Sequence, residues 1–323
     1  MREELRRSAP RAGSRVGAMA AYHMGWADAE GRPCEAGSGK MLRASLALWA
    51  AGAAGGDARD ALPAAVAVEW IHNFTLVHDD IQDGDRERRH RATLWTVVGQ
   101  AQAINAGDAL HSVAHGLLTR PGPRPARRLR AAHALDRAVI EVIDGQCLDI
   151  ALEGRPPARP AVSLRLARTK TGALFGGALE AGALLGGARA ADAARLRRAG
   201  RDVGAAFQVR DDWLGTWGDP SVTGKSSNAD LDRRKQTYGL AVAWSRVSPA
   251  GRREMRRLIR EPGPAGTPRL REILDAAGAG PRTAAAAADL AEAAVRGLDG
   301  VRLEAAHRAE LERLAAYAAR RDR

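Results

Sequence analysis

Apolar residues in the stretch 61–83 fall at Val66, Trp70, Phe74, Val77 and Ile81, in steps of three and four. That spacing predicts one buried face of an α-helix. Similar steps link Leu135, Val139, Val142 and Ile143, and with interruptions they run through 184–207. Residues 283–323 are rich in Ala, Leu, Glu and Arg and predict two helices broken near 297–300. No stretch alternates β-branched and polar residues with a period of two, so strands are not expected. Proline-containing breakers at 121–125, 155–160 and 261–268 predict loops between helices. No repeat or compositional shift marks a boundary. The pattern predicts one large all-α domain over 1–323, with 1–18 as a disordered N-terminal arm.

Composition narrows the class. With 45% hydrophobic residues over 323 positions, the chain is too apolar for disorder and long enough to bury a large core. No apolar run reaches the roughly 18 residues that span a bilayer, so no integral membrane segment is expected. The basic N-terminus lacks the apolar stretch of a secretory signal. Cys34 and Cys147 cannot form a disulfide framework, which points to a reducing, cytoplasmic setting. The net charge of +12 comes from 50 basic residues, of which only Lys40, Lys170, Lys225 and Lys235 are lysine. The arginines are scattered with few aromatics among them, unlike a nucleic-acid groove, so no nucleic-acid partner is expected. Those at 320–323 read as a solvated helix end.

The candidate chemistry is acidic. In His78-Asp79-Asp80-Ile81-Gln82-Asp83, Asp79 and Asp83 lie about 40° apart on a helix, one turn above each other. Two carboxylates so placed repel unless cations bind between them. Oxygen-only ligands suit Mg²⁺, which keeps waters and shares phosphate oxygens. A second pair, Asp211-Asp212, also closes a largely apolar helical run. Such pairs are costly to bury without partners. Facing each other across a cavity, the two sets would clamp a phosphorylated ligand through several metals. The lysines would supply further cations for diphosphate.

These residues carry a resemblance. The run Glu69-Trp-Ile-His72 through Asp79-Asp80-Ile-Gln-Asp83 to Arg88-Arg89 resembles the first aspartate-rich region of trans-isoprenyl diphosphate synthases. Phe207-Gln208-Val-Arg-Asp211-Asp212, followed by Gly224-Lys225 and Asp230-Leu231, resembles the second. The Lys40/Arg43 segment, Gly145-Gln146-Cys-Leu-Asp149 and Lys170-Thr171 match the intervening motifs in order. The similarity covers roughly 20–245 and is closest to bacterial geranylgeranyl and farnesyl diphosphate synthases.

The resemblance implies an isoprenoid synthase-type helical bundle around a central cavity, acting as a homodimer. It implies condensation of isopentenyl diphosphate with an allylic diphosphate. Lys40, Arg43, His72 and Arg89 would hold isopentenyl diphosphate without metal. Asp79 and Asp83, with Asp80 beside them, would bind two Mg²⁺, and Asp211, with Asp212 beside it, a third. Arg88, Lys170, Lys225 and Lys235 would grip the allylic diphosphate. Thr171 and Gln208 would present oxygen dipoles to the developing carbocation. Phe74 and Thr75, before the first aspartate, would limit chain length, giving C20 with C15 next.

Several positions depart from the family pattern. Ala44 and Ala92 stand where proline is usual, Gly215 replaces the last aspartate of a strict second DDxxD, and Thr237-Tyr238-Gly239 replaces the usual Leu-Pro after Lys235. Asp211, Gly215 and Asp219 also approximate the triad spacing of class I terpene cyclases, the alternative catalytic reading. A non-catalytic partner subunit or scaffold cargo is a third. His111 and His115 have metal-ligand spacing but no third ligand nearby, and read as ordinary helix residues. Gly176-Gly177 and Gly186-Gly187 read as close helix packing.

Overall fold

The computed structural model describes residues 1–36, 39, 41–223, 228–260 and 264–322. They are helical almost throughout and divide into two compact units, 1–137 with 178–193, and 138–177 with 194–323. The boundaries fall inside the helices Pro125–Leu152, Ala173–Gly186 and Ala190–Trp217, so neither unit is an independent stretch of chain.

In the first unit the predicted 61–83 helix spans Leu62–Gln82. Pro63 sits in its first turn, where no intrahelical N–H is lost. Val66, Trp70, Phe74 and Val77 are buried, as their spacing requires. Its neighbour Gln100–Thr119 packs close to it: a Cβ on Gly107 would lie 2.3 Å from His78 Nε2. The helix Leu42–Ala53 is approached equally closely by Gly182 and Gly186, whose added Cβ atoms would meet the Ala47 and Ala51 carbonyls at 2.0 and 2.4 Å.

Two expectations fail here. Residues 1–18 do not form a loose arm: they contribute the helices Arg2–Ser8 and Arg15–His23, Leu5 is fully buried, and Trp70 Nε1 donates to Ser8 Oγ at 2.9 Å. One short antiparallel hairpin also exists, Glu87–Arg88 with Arg91–Ala92. Period-two patterning could not reveal strands of two residues. Arg89 and His90 form its turn with φ of 53° and 59°, the left-handed pair that a two-residue hairpin demands.

The second unit is also built from helices. Its core gathers Leu231, Leu240, Met255, Leu258, Leu270 and Leu274. The C-terminal prediction holds, with helices Ala279–Arg296 and Ala305–Arg320. Gly172 and Gly176 face the Arg201 and Arg197 carbonyls, where a Cβ would intrude to 2.4 and 2.6 Å. Gly176 and Gly186 thus serve packing, as read. Gly239 stands where proline is usual because the Trp217 ring would lie 2.7 Å from a Cβ there. Residues 167–172 form a π-helical turn, a form that recurs at functional sites. Among the described residues no helix is long and apolar enough to cross a membrane.

Candidate active site

The first unit carries a basic cluster and the first aspartate set. Arg43, in the opening turn of Leu42–Ala53, donates from Nη1 to His72 Nε2 at 3.3 Å. Burial pushes its guanidinium down to about 10, opposed by the nearby Glu69 carboxylate and assisted by the Arg89 charge. Burial, then Arg43 and Arg89, hold His72 well below the usual histidine range, so it is neutral and accepts that bond. Glu69 is buried; its Oε1 accepts from Ala44 N at 3.2 Å, satisfying an N-terminal donor of a helix that lacks a side-chain cap. Arg89 reaches the same neighbourhood, close enough for its charge to act on both Arg43 and His72. Arg43, His72 and Arg89 are therefore brought together, and Glu69, whose carboxyl burial pushes up against the pull of Arg43, is the acidic neighbour whose role sequence reasoning missed. Lys40 lies outside the described residues.

The first aspartates point in different directions. Asp80 is 1% exposed and accepts from Arg88 Nε at 2.7 Å, with Arg88 Nη2 at 2.6 Å from the same oxygen. Burial pushes its carboxyl up to about 6 against the pull of Arg88. Sequence reading gave Asp80 to metal and Arg88 to diphosphate; the structure pairs them with each other. Asp79 is half-buried and Asp83, just past the helix end, is exposed. Phe74 is buried, edge-on to His78 and His111 with centroids 5.6 and 5.1 Å away. Thr75 Oγ1 donates back to His72 O at 2.7 Å. His115 Nδ1 lies 3.2 Å from Asp136 Oδ1, and His111 packs on Phe74.

The second unit carries the second aspartate set. Lys170, in the π-turn, pairs with Asp149 at 2.7 Å. Thr171 Oγ1 donates to Gln208 Oε1 at 2.8 Å, and Gln208 Nε2 donates to Asp212 Oδ1 at 3.0 Å. Asp212 Oδ2 accepts from Tyr238 N at 2.8 Å. Desolvation, with Asp230 and Asp211 nearby, pushes the Asp212 carboxyl up to about 7 against these bonds. Asp211 is half-buried, and its Oδ1 accepts from Arg321 at 2.8 Å. Lys235 is exposed, and Lys225 lies outside the described residues.

The break in the second motif has a steric cause. A Cβ on Gly215 would come within 1.9 Å of Asp230 Oδ2. Asp230, supplied by the short helix Ala229–Asp232, fills the space where an aspartate side chain at 215 would begin. The glycine four residues after Asp211 was the available signal. The reading of Arg321 as part of a solvated helix end is also corrected: its side chain is enclosed against Asp211.

The donors fit Mg²⁺. They are carboxylate oxygens only, and Asp79, Asp83 and Asp211 each retain solvent access. Among the described residues no three His, Cys, Asp or Glu side chains converge as a closed cage. An ion completed by waters and substrate phosphates does not require one.

The family model for polyprenyl synthetase matches residues 33–276, drawn from both units. The chain belongs to the polyprenyl synthetase family. The (2E,6E)-farnesyl diphosphate synthase of Mycobacterium tuberculosis is 41% identical over 260 residues, 80% of this chain and 72% of that protein. The crystal structure of a polyprenyl synthetase from Streptomyces coelicolor superposes with a TM-score of 0.92 and 36% identity, covering 98% of this chain and 96% of that one. The geranylgeranyl pyrophosphate synthase of Corynebacterium glutamicum, solved with isoprenyl diphosphate and magnesium, gives 0.79 and 30% over 88% and 87% of the two chains. The chain is a trans-prenyltransferase, condensing isopentenyl diphosphate with an allylic diphosphate.

Proposed function

We propose that the enzyme elongates a shorter allylic diphosphate to geranylgeranyl diphosphate, with farnesyl diphosphate as the alternative end product, and that residues 1–323 work as one polyprenyl synthase domain. The observation that carries this reading is the basic cluster of Arg43, His72 and Arg89 beside its acidic neighbour Glu69. A terpene cyclase ionises one diphosphate and has no use for a second, metal-free diphosphate site. A non-catalytic subunit would have no need of the retained Asp79, Asp83 and Asp211.

In this reading Arg43, His72 and Arg89, with Lys40, hold the diphosphate of isopentenyl diphosphate. Asp79 and Asp83 would hold two Mg²⁺ and Asp211 a third, with Asp80 paired to Arg88 and Asp212 bonded to Gln208 and the Tyr238 N–H. Bound Mg²⁺ neutralises charge on the departing allylic diphosphate. Lys170, steered by Asp149, grips that leaving group with Lys225 and Lys235, and Arg88 orients the helix end through Asp80. The allylic C–O bond breaks, the double bond of isopentenyl diphosphate attacks the resulting cation, and a proton leaves to the released diphosphate. Thr171 and Gln208 turn oxygen dipoles toward the cation. Phe74, with Thr75 beside it, stops the growing chain.

The enzyme works in the cytoplasm as a homodimer. On the helix Pro125–Leu152, Ile140, Ile143, Cys147 and Ile150 are exposed in steps of three, four and three, a seam suited to a second copy of the same helix.

Incubation with Mg²⁺, isopentenyl diphosphate and each of the C5, C10 and C15 allylic diphosphates, read by mass spectrometry, tests the reading. A C20 product is expected, and a longer one from Phe74→Ala. Absence of any elongated product overturns the assignment; a hydrocarbon from one allylic diphosphate alone favours the cyclase.

A further inference from the structure

Arg321 lies one residue past the helix Ala305–Arg320, and from there the chain lies against 207–213. Its guanidinium donates to Asp211 Oδ1 at 2.8 Å and stacks 3.8 Å from the centroid of Phe207. The side chain is 9% exposed. Arg210 fastens the same segment: its Nε donates to Arg321 O at 2.8 Å, its Nη2 lies 3.3 Å from Asp322 Oδ1, and its own guanidinium stacks 4.1 Å from Trp213. Phe207 and Asp211, one turn apart on the 207–213 helical stretch, thus hold the Arg321 guanidinium, while Arg210 of the same stretch stacks on Trp213 and holds the Arg321 backbone. A charge-assisted bond on an aromatic bed is a strong, directed contact.

That contact uses the carboxylate assigned above to a divalent cation. A Mg²⁺ ion binds carboxylate oxygen at about 2.1 Å. A guanidinium already hydrogen-bonded to that carboxylate would then face a divalent charge at close range in a poorly solvated position. The two cations compete for Asp211.

We propose that Arg321 is a tethered competitor for the metal at Asp211, so that metal loading of the second aspartate set releases the Arg321–Asp322 segment from Phe207. The inference rests on the assignment of Asp211 to Mg²⁺. Under the opposite possibility, in which Arg321 merely orients Asp211 for the metal, removing it would weaken metal binding. The sign of the effect separates the two.

The test is Mn²⁺ binding to the substrate-free, full-length protein by electron paramagnetic resonance. An Asp79→Asn/Asp83→Asn background silences the first set. Arg321→Ala should tighten Mn²⁺ binding about fivefold, which is about 1 kcal/mol. Arg321→Gln, which keeps more of the packing, should do the same, and Arg321→Lys should fall between. Unchanged or weaker binding in both neutral variants overturns the proposal. Loss of Mn²⁺ binding on adding Asp211→Asn is expected; if binding is unaffected, the assignment of Asp211 to metal fails, and the inference with it. A second readout needs no variant: Mn²⁺ should speed tryptic cleavage after Arg321 in the wild-type chain, followed by intact mass. An unchanged rate also counts against release.

Discussion

The two aspartate sets solve one geometric problem in different ways. Adjacent residues on a helix point about 100° apart, so the members of an Asp-Asp pair cannot both face the same ligand. In the first set Asp80 turns inward and is held by Arg88, eight residues away on a hairpin. In the second set Asp212 turns inward and is held by neutral donors, the Gln208 amide and the Tyr238 N–H. Asp79 and Asp211 are half-buried, and Asp211 accepts from Arg321. The inner aspartate is thus neutralised by an ion pair in one set and wired into a polar chain ending at Thr171 in the other. The lesson is that a DDxxD motif contains ligands and anchors, and only Asp79 and Asp211 of the two pairs are expected to carry the metal.

The largest effect should come from separating those roles. Asp79→Asn is expected to lower kcat about a thousandfold, roughly 4 kcal/mol of transition-state stabilisation, with little change in urea midpoint. Asp211→Asn should lower kcat similarly but also cost about 1–3 kcal/mol of stability, because the enclosed Arg321 loses its partner. Asp80→Asn should instead destabilise the fold by about 1–3 kcal/mol, because Arg88 loses its partner beside a buried site. Steady-state kinetics paired with urea unfolding decide this. If Asp80→Asn abolished activity at unchanged stability, the division into ligand and anchor would be lost.

Next in size is the broken second motif. Restoring the consensus with Gly215→Asp drives a new side chain into Asp230 and places two carboxylates in one space. Thermal unfolding should show a loss of about 2–4 kcal/mol. Adding Asp230→Gly should recover most of it. Full stability in the single variant would mean that Asp230 does not occupy that space in solution.

Much of this was legible in the sequence. The Val66-Trp70-Phe74-Val77 stripe placed a helix and its buried face because burial imposes the helical period directly. Arg43 with His72, and Thr171 with Gln208, came together as the ordered motifs implied. What stayed hidden depends on partners distant in sequence or on elements too short for periodicity. The hairpin that aims Arg88 has two-residue strands. Asp230 at Gly215 and Arg321 at Asp211 are contacts over 15 and 110 residues. The glycine at 239 lies against the ring of Trp217, 22 residues away in sequence. An arginine run in a chain with 46 arginines gives no hint that one of them is enclosed.

The smallest effect tests the wiring of the second set. Thr171 Oγ1, Gln208 and Asp212 form a continuous chain of hydrogen bonds that ends on the Tyr238 N–H. If the chain fixes the oxygens presented to the cation, Thr171→Val should lower kcat about tenfold, near 1.4 kcal/mol, and leave KM for isopentenyl diphosphate unchanged. Asp212→Asn should lower kcat by a comparable factor, since the neutral amide offers only one acceptor oxygen to two donors. Because both changes break one chain, the double variant should be little worse than either alone, a coupling that a double-mutant cycle measures. Additive losses would mean that Thr171 and Asp212 act independently, and the inner aspartate of the second set would then be an anchor of the same kind as Asp80.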